Sequence, residues 1–295
     1  MKSKKNKYAF FSIDVERFAD AECVSKANQK VNSSMLDGLD EYIKILDKYG
    51  IKATMFVLSD VADEIGQKLK DYVAKGHRIA IHGKTHIAPK LLTDEEFKEQ
   101  LTFAKTKLED MFHTRVMGYR APCFGINQDK FELLKDLGFD YDSSRMDFKA
   151  ARHYANVDME GFENPRGEMY VKNGFFEFGL ATEKIFGKKF PVSGGGYLRL
   201  ANWFFARFMI KKFIKHSDYY MFYAHPFEFS KEKIPKIKKL KLYDKMYVGF
   251  GRYSYPFKIE FIIKQLKKNG FEFTTIEDFI ENQSDEKMNT SKNGV

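Results

Sequence analysis

Tyr8-Ala9-Phe10-Phe11-Ser12-Ile13, followed at once by Asp14-Val15-Glu16, decides how the rest of the chain is read. The first six residues are a short, β-prone apolar run of the kind buried in a sheet. Two carboxylates then close it, and strand alternation puts Asp14 and Glu16 on one face. Free and ionised, they would repel. A bound cation removes that conflict and separates them into one ligand and one base. The ordinary alternative is a pair of solvent-facing acids, and the neighbours of this pair decide between the two.

The same arrangement recurs downstream. Met35 to Tyr49 has the apolar spacing of a helix stopped by Gly50, and Lys52 to Val57 reads as a strand. Val61 to Ala74, closed by Gly76, is a second amphipathic helix before a strand at Arg78 to Ile81. Thr93-Asp94-Glu95-Glu96 is an N-cap with an acidic first turn, opening a helix to Phe112. Val116 to Tyr119 and Phe139 to Asp142 are strands around a helix at Gln128 to Leu137. Such alternation predicts an α/β protein built of parallel βα units, as an open sheet or a barrel. Phe148 to Tyr197 breaks the pattern and reads as an irregular insertion or hairpin. The pattern returns with Trp203 to Ile214, Tyr219 to Ala224, Phe257 to Lys268 and Glu272 to Thr275. Residues 1–281 are expected to form one catalytic domain, and the polar tail Asn282 to Val295 to be disordered.

The chain has 295 residues and a formal net charge of +9, with 43% hydrophobic and 31% charged residues. That balance fits a folded globular chain and excludes a disordered one. Two cysteines, Cys23 and Cys123, exclude a disulfide framework and a cysteine zinc finger. The lysines are scattered and many sit i, i+4 from an acid, so their excess reads as background and not as a nucleic-acid site. Met1 to Lys7 is basic, but the apolar run after it is too short for a signal peptide, and no stretch approaches a membrane span. The expectation is a mature cytoplasmic protein.

In parallel α/β proteins active sites collect at the carboxyl ends of strands. Here those ends carry Asp14 and Glu16, His82-Gly83-Lys84-Thr85-His86, Arg120-Ala121-Pro122, Asp142-Ser143-Ser144 and His225-Pro226. If the segment turns helical, His82 and His86, spaced i, i+4, lie on one face with both imidazoles able to reach one metal. A carboxylate completes such a set and leaves positions open for water and substrate. Arg120, held extended by the Ala121-Pro122 context, can pair with a carboxylate and orient it. His225 can act as a general acid near neutral pH. His77 is assigned a structural place.

These segments resemble, in order and spacing over Tyr8 to Ile280, the successive motifs of the polysaccharide deacetylase (NodB-homology, carbohydrate esterase family 4) superfamily. Pro191-Val192-Ser193-Gly194-Gly195-Gly196-Tyr197-Leu198-Arg199-Leu200 is similar to a glycine-rich stretch of its exopolysaccharide-biosynthesis branch. The resemblance implies a distorted (β/α) barrel of about seven parallel strands, TIM-barrel-like, and metal-dependent removal of an N-acetyl group from a saccharide. It makes Asp14 the base, His225 the general acid, Arg120 the residue orienting the base, and His82 and His86 metal ligands. Glu16 takes the metal carboxylate, with Asp20 as fallback, because Val15 interrupts the usual pair of adjacent aspartates. Pro122, Asp142 and Tyr197 take supporting or substrate-contacting places, Asp142 because its motif lacks the usual tryptophan. Zinc is the default ion; cobalt, nickel and iron also suit these ligands. The expected partner is an N-acetylated saccharide, with no nucleic acid.

Three other readings compete: a C–N hydrolase on a small ureide or formamide, a catalytically silent carbohydrate-binding protein, and a basic nucleic-acid or membrane-surface protein. The last rests on Asn202 to Lys215, a basic amphipathic stretch that suits peripheral membrane contact. A barrel helix presenting its core face is the plainer account of that stretch.

Overall fold

The computed structural model describes residues 6–148 and 157–292. Its first half alternates strand and helix: β1 (Lys7–Val15), the one-turn α1 (Glu22–Ser25), α2 (Gly38–Asp47), β2 (Ala53–Leu58), α3 (Ser59–Ala74) and β3 (Arg78–Gly83). α4 (Asp94–Phe112), β4 (Gly118–Tyr119), α5 (Gln128–Asp136) and β5 (Tyr141–Asp142) follow. Short strands β6 (Glu163–Arg166), β7 (Met169–Lys172) and β8 (Phe175–Phe178) come next, then the hairpin β9 (Thr182–Ile185) and β10 (Lys188–Pro191). The chain continues through α6 (Gly195–Leu200), α7 (Trp203–His216), β11 (Tyr219–Phe222), α8 (Leu242–Gly249), α9 (Tyr255–Lys268), β12 (Phe271–Thr274) and α10 (Ile276–Lys292).

The main sheet runs β11-β1-β2-β3-β4-β5-β8-β7-β6, with β12 pairing the first half of β1. Among the described residues eight strands pair in parallel, β1 to β5 with β8, β11 and β12, against the seven or so expected. The sheet curls into a half-barrel. The chain after β8 spans its open side: Val192 N–H donates to Ala181 O (3.0 Å) and Tyr223 N–H to Ser193 O (2.8 Å). Gly194 forms a bridge with Tyr223 at φ +118°, where a Cβ would lie 2.2 Å from Tyr223 O. Only glycine fits there, which explains part of the glycine run.

Alternation along β1 sets the two faces. Phe11, Ile13 and Val15 pack outward with Leu39, Tyr42 and Leu46 of α2. Phe10 joins an interior cluster with Phe56, Tyr141 and Tyr219, and Ser12 and Asp14 continue that inner face upward. Each large apolar side chain so buried is worth about 1.5–3 kcal/mol. At the amino ends of the strands α10 plugs the barrel with Ile276, Phe279 and Ile280, and Glu277 accepts from Thr54 Oγ1 (2.7 Å). The carboxyl ends are left for chemistry.

α10 continues past Asn282 to Lys292, and residues 293–295 lie outside the described part. His82 and His86 do not share a helix. His82 is still in β3, and the chain then bends at Gly83 (φ +116°).

Candidate active site

The register between β2 and β3 jumps from Val57 opposite Ile81 to Leu58 opposite Gly83, so His82 is the extra residue of a bulge. Bulges re-aim side chains next to functional sites. The bulge and the Gly83 bend together bring the two imidazoles to a centroid separation of 5.3 Å. β1 ends one residue before Glu16, whose N–H bonds back to Asp14 O (3.1 Å) in a tight turn. That turn splits the two carboxylates: Glu16 goes to the histidines and Asp14 to Arg120.

Glu16 Oε2 lies 2.7 Å from His86 Nε2 and 3.5 Å from His82 Nε2, and ligand atoms of all three residues fall within 4.8 Å of one another. Oε2 is buried and makes no well-directed hydrogen bond. The outer nitrogen of His82, Nδ1, sits 2.9 Å from Arg120 O, which favours a tautomer whose Nε2 lone pair points inward. An orphaned carboxylate oxygen facing two imidazole nitrogens fits a divalent cation. Burial alone would raise the Glu16 pKa, but His86 and His82 hold it well below the usual carboxylate range. Burial likewise opposes the His86 cation, and Glu16 outweighs it and raises that pKa.

Asp14 is fixed by the fully buried Arg120, whose Nη1 donates to Asp14 Oδ1 (2.7 Å) and Ser12 Oγ (2.8 Å). Ser143 takes the rest of the guanidinium through its carbonyl (3.0 Å) and hydroxyl (2.8 Å), and the Phe56 ring lies 4.0 Å from Arg120 Cζ. A buried carboxylate so paired stays oriented. His225 Nε2 faces Asp14 Oδ2 at 4.0 Å, and His225 Nδ1 sits 3.2 Å from Glu228 Oε2. Glu228 in turn accepts from Arg199 Nε (2.8 Å). Burial would lower the His225 pKa, but the Glu228 hydrogen bond and the charges of Glu16, Glu228 and Asp14 push it up to about 9.

Asp14, Glu16, His82, His86 and His225 line one open cavity of about 580 Å³, with Tyr197, Tyr223 and Phe124 as its aromatic walls and Cys23 and Cys123 also exposed to it. Pro122 opens the adjoining one-turn helix, in which Cys123 (φ 54°) and Phe124 (φ 52°) are both left-handed. Non-glycine residues hold that shape only where their surroundings impose it, commonly at functional loops.

The remaining sequence candidates fall elsewhere. Asp20 is spent on Arg17, accepting from its backbone N–H (3.0 Å), so the carboxylate beside the histidines is Glu16. Asp142 does not line the cavity; it accepts from the Ser144 hydroxyl (2.7 Å), which accepts from Ala121 N–H (2.8 Å), and so supports the Arg120 loop from behind. His77 is buried, accepts from Ala53 N–H (3.1 Å) and has its pKa pushed down to about 4 by burial, a structural place. Glu228 and Arg199 were not foreseen. The signal was the capping box of His225-Pro226-Phe227-Glu228: proline at the first position and glutamate at the third fold the carboxylate back onto the His225 N–H (3.0 Å).

A family model described as polysaccharide deacetylase matches residues 33–141, and one described as a domain of unknown function (DUF3473) matches 146–281. The peptidoglycan deacetylase-like protein FGM2 of Gibberella zeae is 32% identical over 119 residues, 40% of this chain and 35% of that protein. The match thus spans about a third of that relative's length. A polysaccharide deacetylase structure from Mycobacterium smegmatis superposes with a TM-score of 0.62 at 17% identity, covering 97% of this chain and 94% of its own. The Puue allantoinase superposes at 0.58 and 12% identity, over 93% and 89%. At such identities these two show the shared fold. With the motifs in order on converging strand ends, the segment 33–141 is the part of this chain that matches the polysaccharide deacetylase family.

Proposed function

We propose that the protein hydrolyses the N-acetyl group of an amino sugar in a saccharide, releasing acetate and a free amine. One observation carries the reading: Asp14 and His225 face each other across 4.0 Å beside the Glu16, His82 and His86 group, within one cavity. Glu16, His82 and His86 would hold a divalent cation. When bound, such an ion polarises an acetamide carbonyl and acidifies water.

The chain's own residues supply the rest. Asp14, oriented by Arg120, accepts the proton of the attacking water as oxygen bonds to the acetyl carbon. The Cys123 N–H, in the strained loop after Pro122, is the donor we assign to the developing oxyanion. An amine anion is too basic to leave at neutral pH, so His225 delivers a proton to the nitrogen as the C–N bond breaks. Its raised pKa keeps it protonated for that step. Tyr197 and Tyr223 offer flat faces to sugar rings. Metal analysis combined with acetate release over a panel of N-acetylated oligosaccharides tests the proposal. No acetate from any of them with metal bound would refute it, and small ureides and formamides, followed by loss of substrate and, for formamides, by formate release, test the competing hydrolase reading.

A further inference from the structure

α7 satisfies the demand of a barrel helix with one face, burying Ala206, Met209, Ile210, Phe213 and Ile214. A helix doing only that should be polar on the other side. Instead Phe204 is 77% exposed, with Phe205 and Phe208 exposed beside it. Of the thirteen large apolar side chains exposed among the described residues, nine lie between 204 and 257.

They lie on α7, on α8 and on the segment leading from α8 into α9. Trp203, at the start of α7, stacks edge-on with Phe257 of α9 at 5.1 Å. Tyr253, one turn before Phe257, is 97% exposed, and Phe250 precedes it. Arg199 ties this stretch down by donating to the carbonyls of Phe250 and Tyr247. On α8, Met246 and Leu242 are exposed at i, i+4 spacing, with Tyr243 beside them, and Tyr243 and Tyr247 already line the catalytic cavity. The apolar tract therefore ends at the mouth of the active site.

Its border is cationic. Residues 231–245 hold seven lysines against Glu232 and Asp244. Among the described residues only Lys231 of the seven has an ion-pair partner, Glu41. Exposed aromatic and aliphatic side chains with unpaired lysines before and within α8 match the boundary of a membrane with anionic headgroups. A second copy of the chain fits poorly, because a twofold contact would set lysine cluster against lysine cluster. No helix among the described residues is long and apolar enough to cross a membrane, so the contact would be peripheral.

We infer that the tract from α7 to α8 docks the protein on an anionic lipid bilayer and holds the cavity mouth at its surface. A further consequence, which rests on the deacetylase reading, is that the saccharide acted on is carried by a lipid.

The test is flotation of the purified protein with phosphatidylcholine vesicles, with and without phosphatidylglycerol. Two variants outside the cavity accompany it, F204S/F208S/Y253S and K233E/K236E/K238E. The docking predicts flotation with the anionic vesicles only, reversed by salt and weakened at least about tenfold in each variant. Acetate release from soluble oligosaccharides should stay at the parent rate in both variants, which shows intact folding; far-UV circular dichroism does so if no acetate is released at all. Flotation with no acetate released from soluble or lipid-linked N-acetylated saccharides would leave the docking standing and remove the lipid-carried substrate with the deacetylase reading. The docking is overturned if the parent protein stays unbound, binds neutral vesicles equally, floats undiminished in the variants, or binds dextran sulfate but no vesicle. It is equally overturned if sedimentation shows a dimer that the apolar variant dissociates.

Discussion

Glu228 Oε2 sits 3.2 Å from His225 Nδ1 and accepts the backbone N–H of the same histidine at 3.0 Å. One carboxylate therefore fixes both the position of His225 and its charge. Burial disfavours ionisation of Glu228, yet His225 and Arg199 keep its pKa below the ordinary value. Arg199 reaches it from the glycine-rich stretch, so His225 is held by two segments far apart in sequence.

In the proposed reaction that contact sets the alkaline limit of activity. His225 must be protonated to act as an acid, so activity should be present below its pKa and fall as pH rises through about 9. Its folded pKa lies above the unfolded value of about 6.5, so its contribution to stability is full below 6.5 and is lost over the same rise. Replacing Glu228 by Gln removes the closest opposing charge and should move the alkaline limb down by about one to three pH units. A pH–rate profile with an unshifted limb would show that Glu228 does not tune His225.

Asp14→Asn should separate catalysis from metal binding. Asparagine can still accept from Arg120 but cannot take a proton from water, while Glu16, His82 and His86 are untouched. The expected result is parent metal content with kcat reduced about 10²- to 10⁴-fold. Turnover at the parent rate would remove Asp14 as the base.

His82→Ala should do the reverse. Binding of a cation to the folded state alone raises stability, by about 2.7 kcal/mol at a hundredfold excess over the dissociation constant. The parent protein should therefore melt higher with zinc, cobalt or nickel added and lower with a chelator. The variant should melt at one temperature under all these conditions. An unchanged metal response in H82A would place the ion elsewhere.

How far the sequence alone reached has a physical pattern. Strand ends were legible because each joins an apolar run to a polar cluster, and parallel topology then gathers those clusters at one rim. The geometry of the joint between His82 and His86 was not legible, because i, i+4 spacing does not distinguish a helix from a bulge followed by a glycine bend. α8 was missed because its outer face is apolar, which hides the usual periodicity. Glu228 carried a local signal in its capping box, whereas Arg199 escaped because a buried ion pair formed across 29 residues leaves no trace around its distant end.

Arg120 supplies the most severe test, because its substitution separates structural from chemical loss. Arg120 and Asp14 are both buried, and removing the cation alone leaves a carboxylate among Ser12, Phe56 and the inner sheet face. R120M should therefore destabilise the fold by about 3–5 kcal/mol, read by urea denaturation. The double variant R120M/D14N carries no buried charge at this position and should recover much of that stability, since a neutral, volume-matched pair replaces an ion pair at little net cost. It should not recover activity, because the base is gone. If R120M and the double variant were equally destabilised, the loss would lie in guanidinium packing and its bonds to Ser143, and Arg120 would be a scaffold for the β5 loop before it was a partner of Asp14.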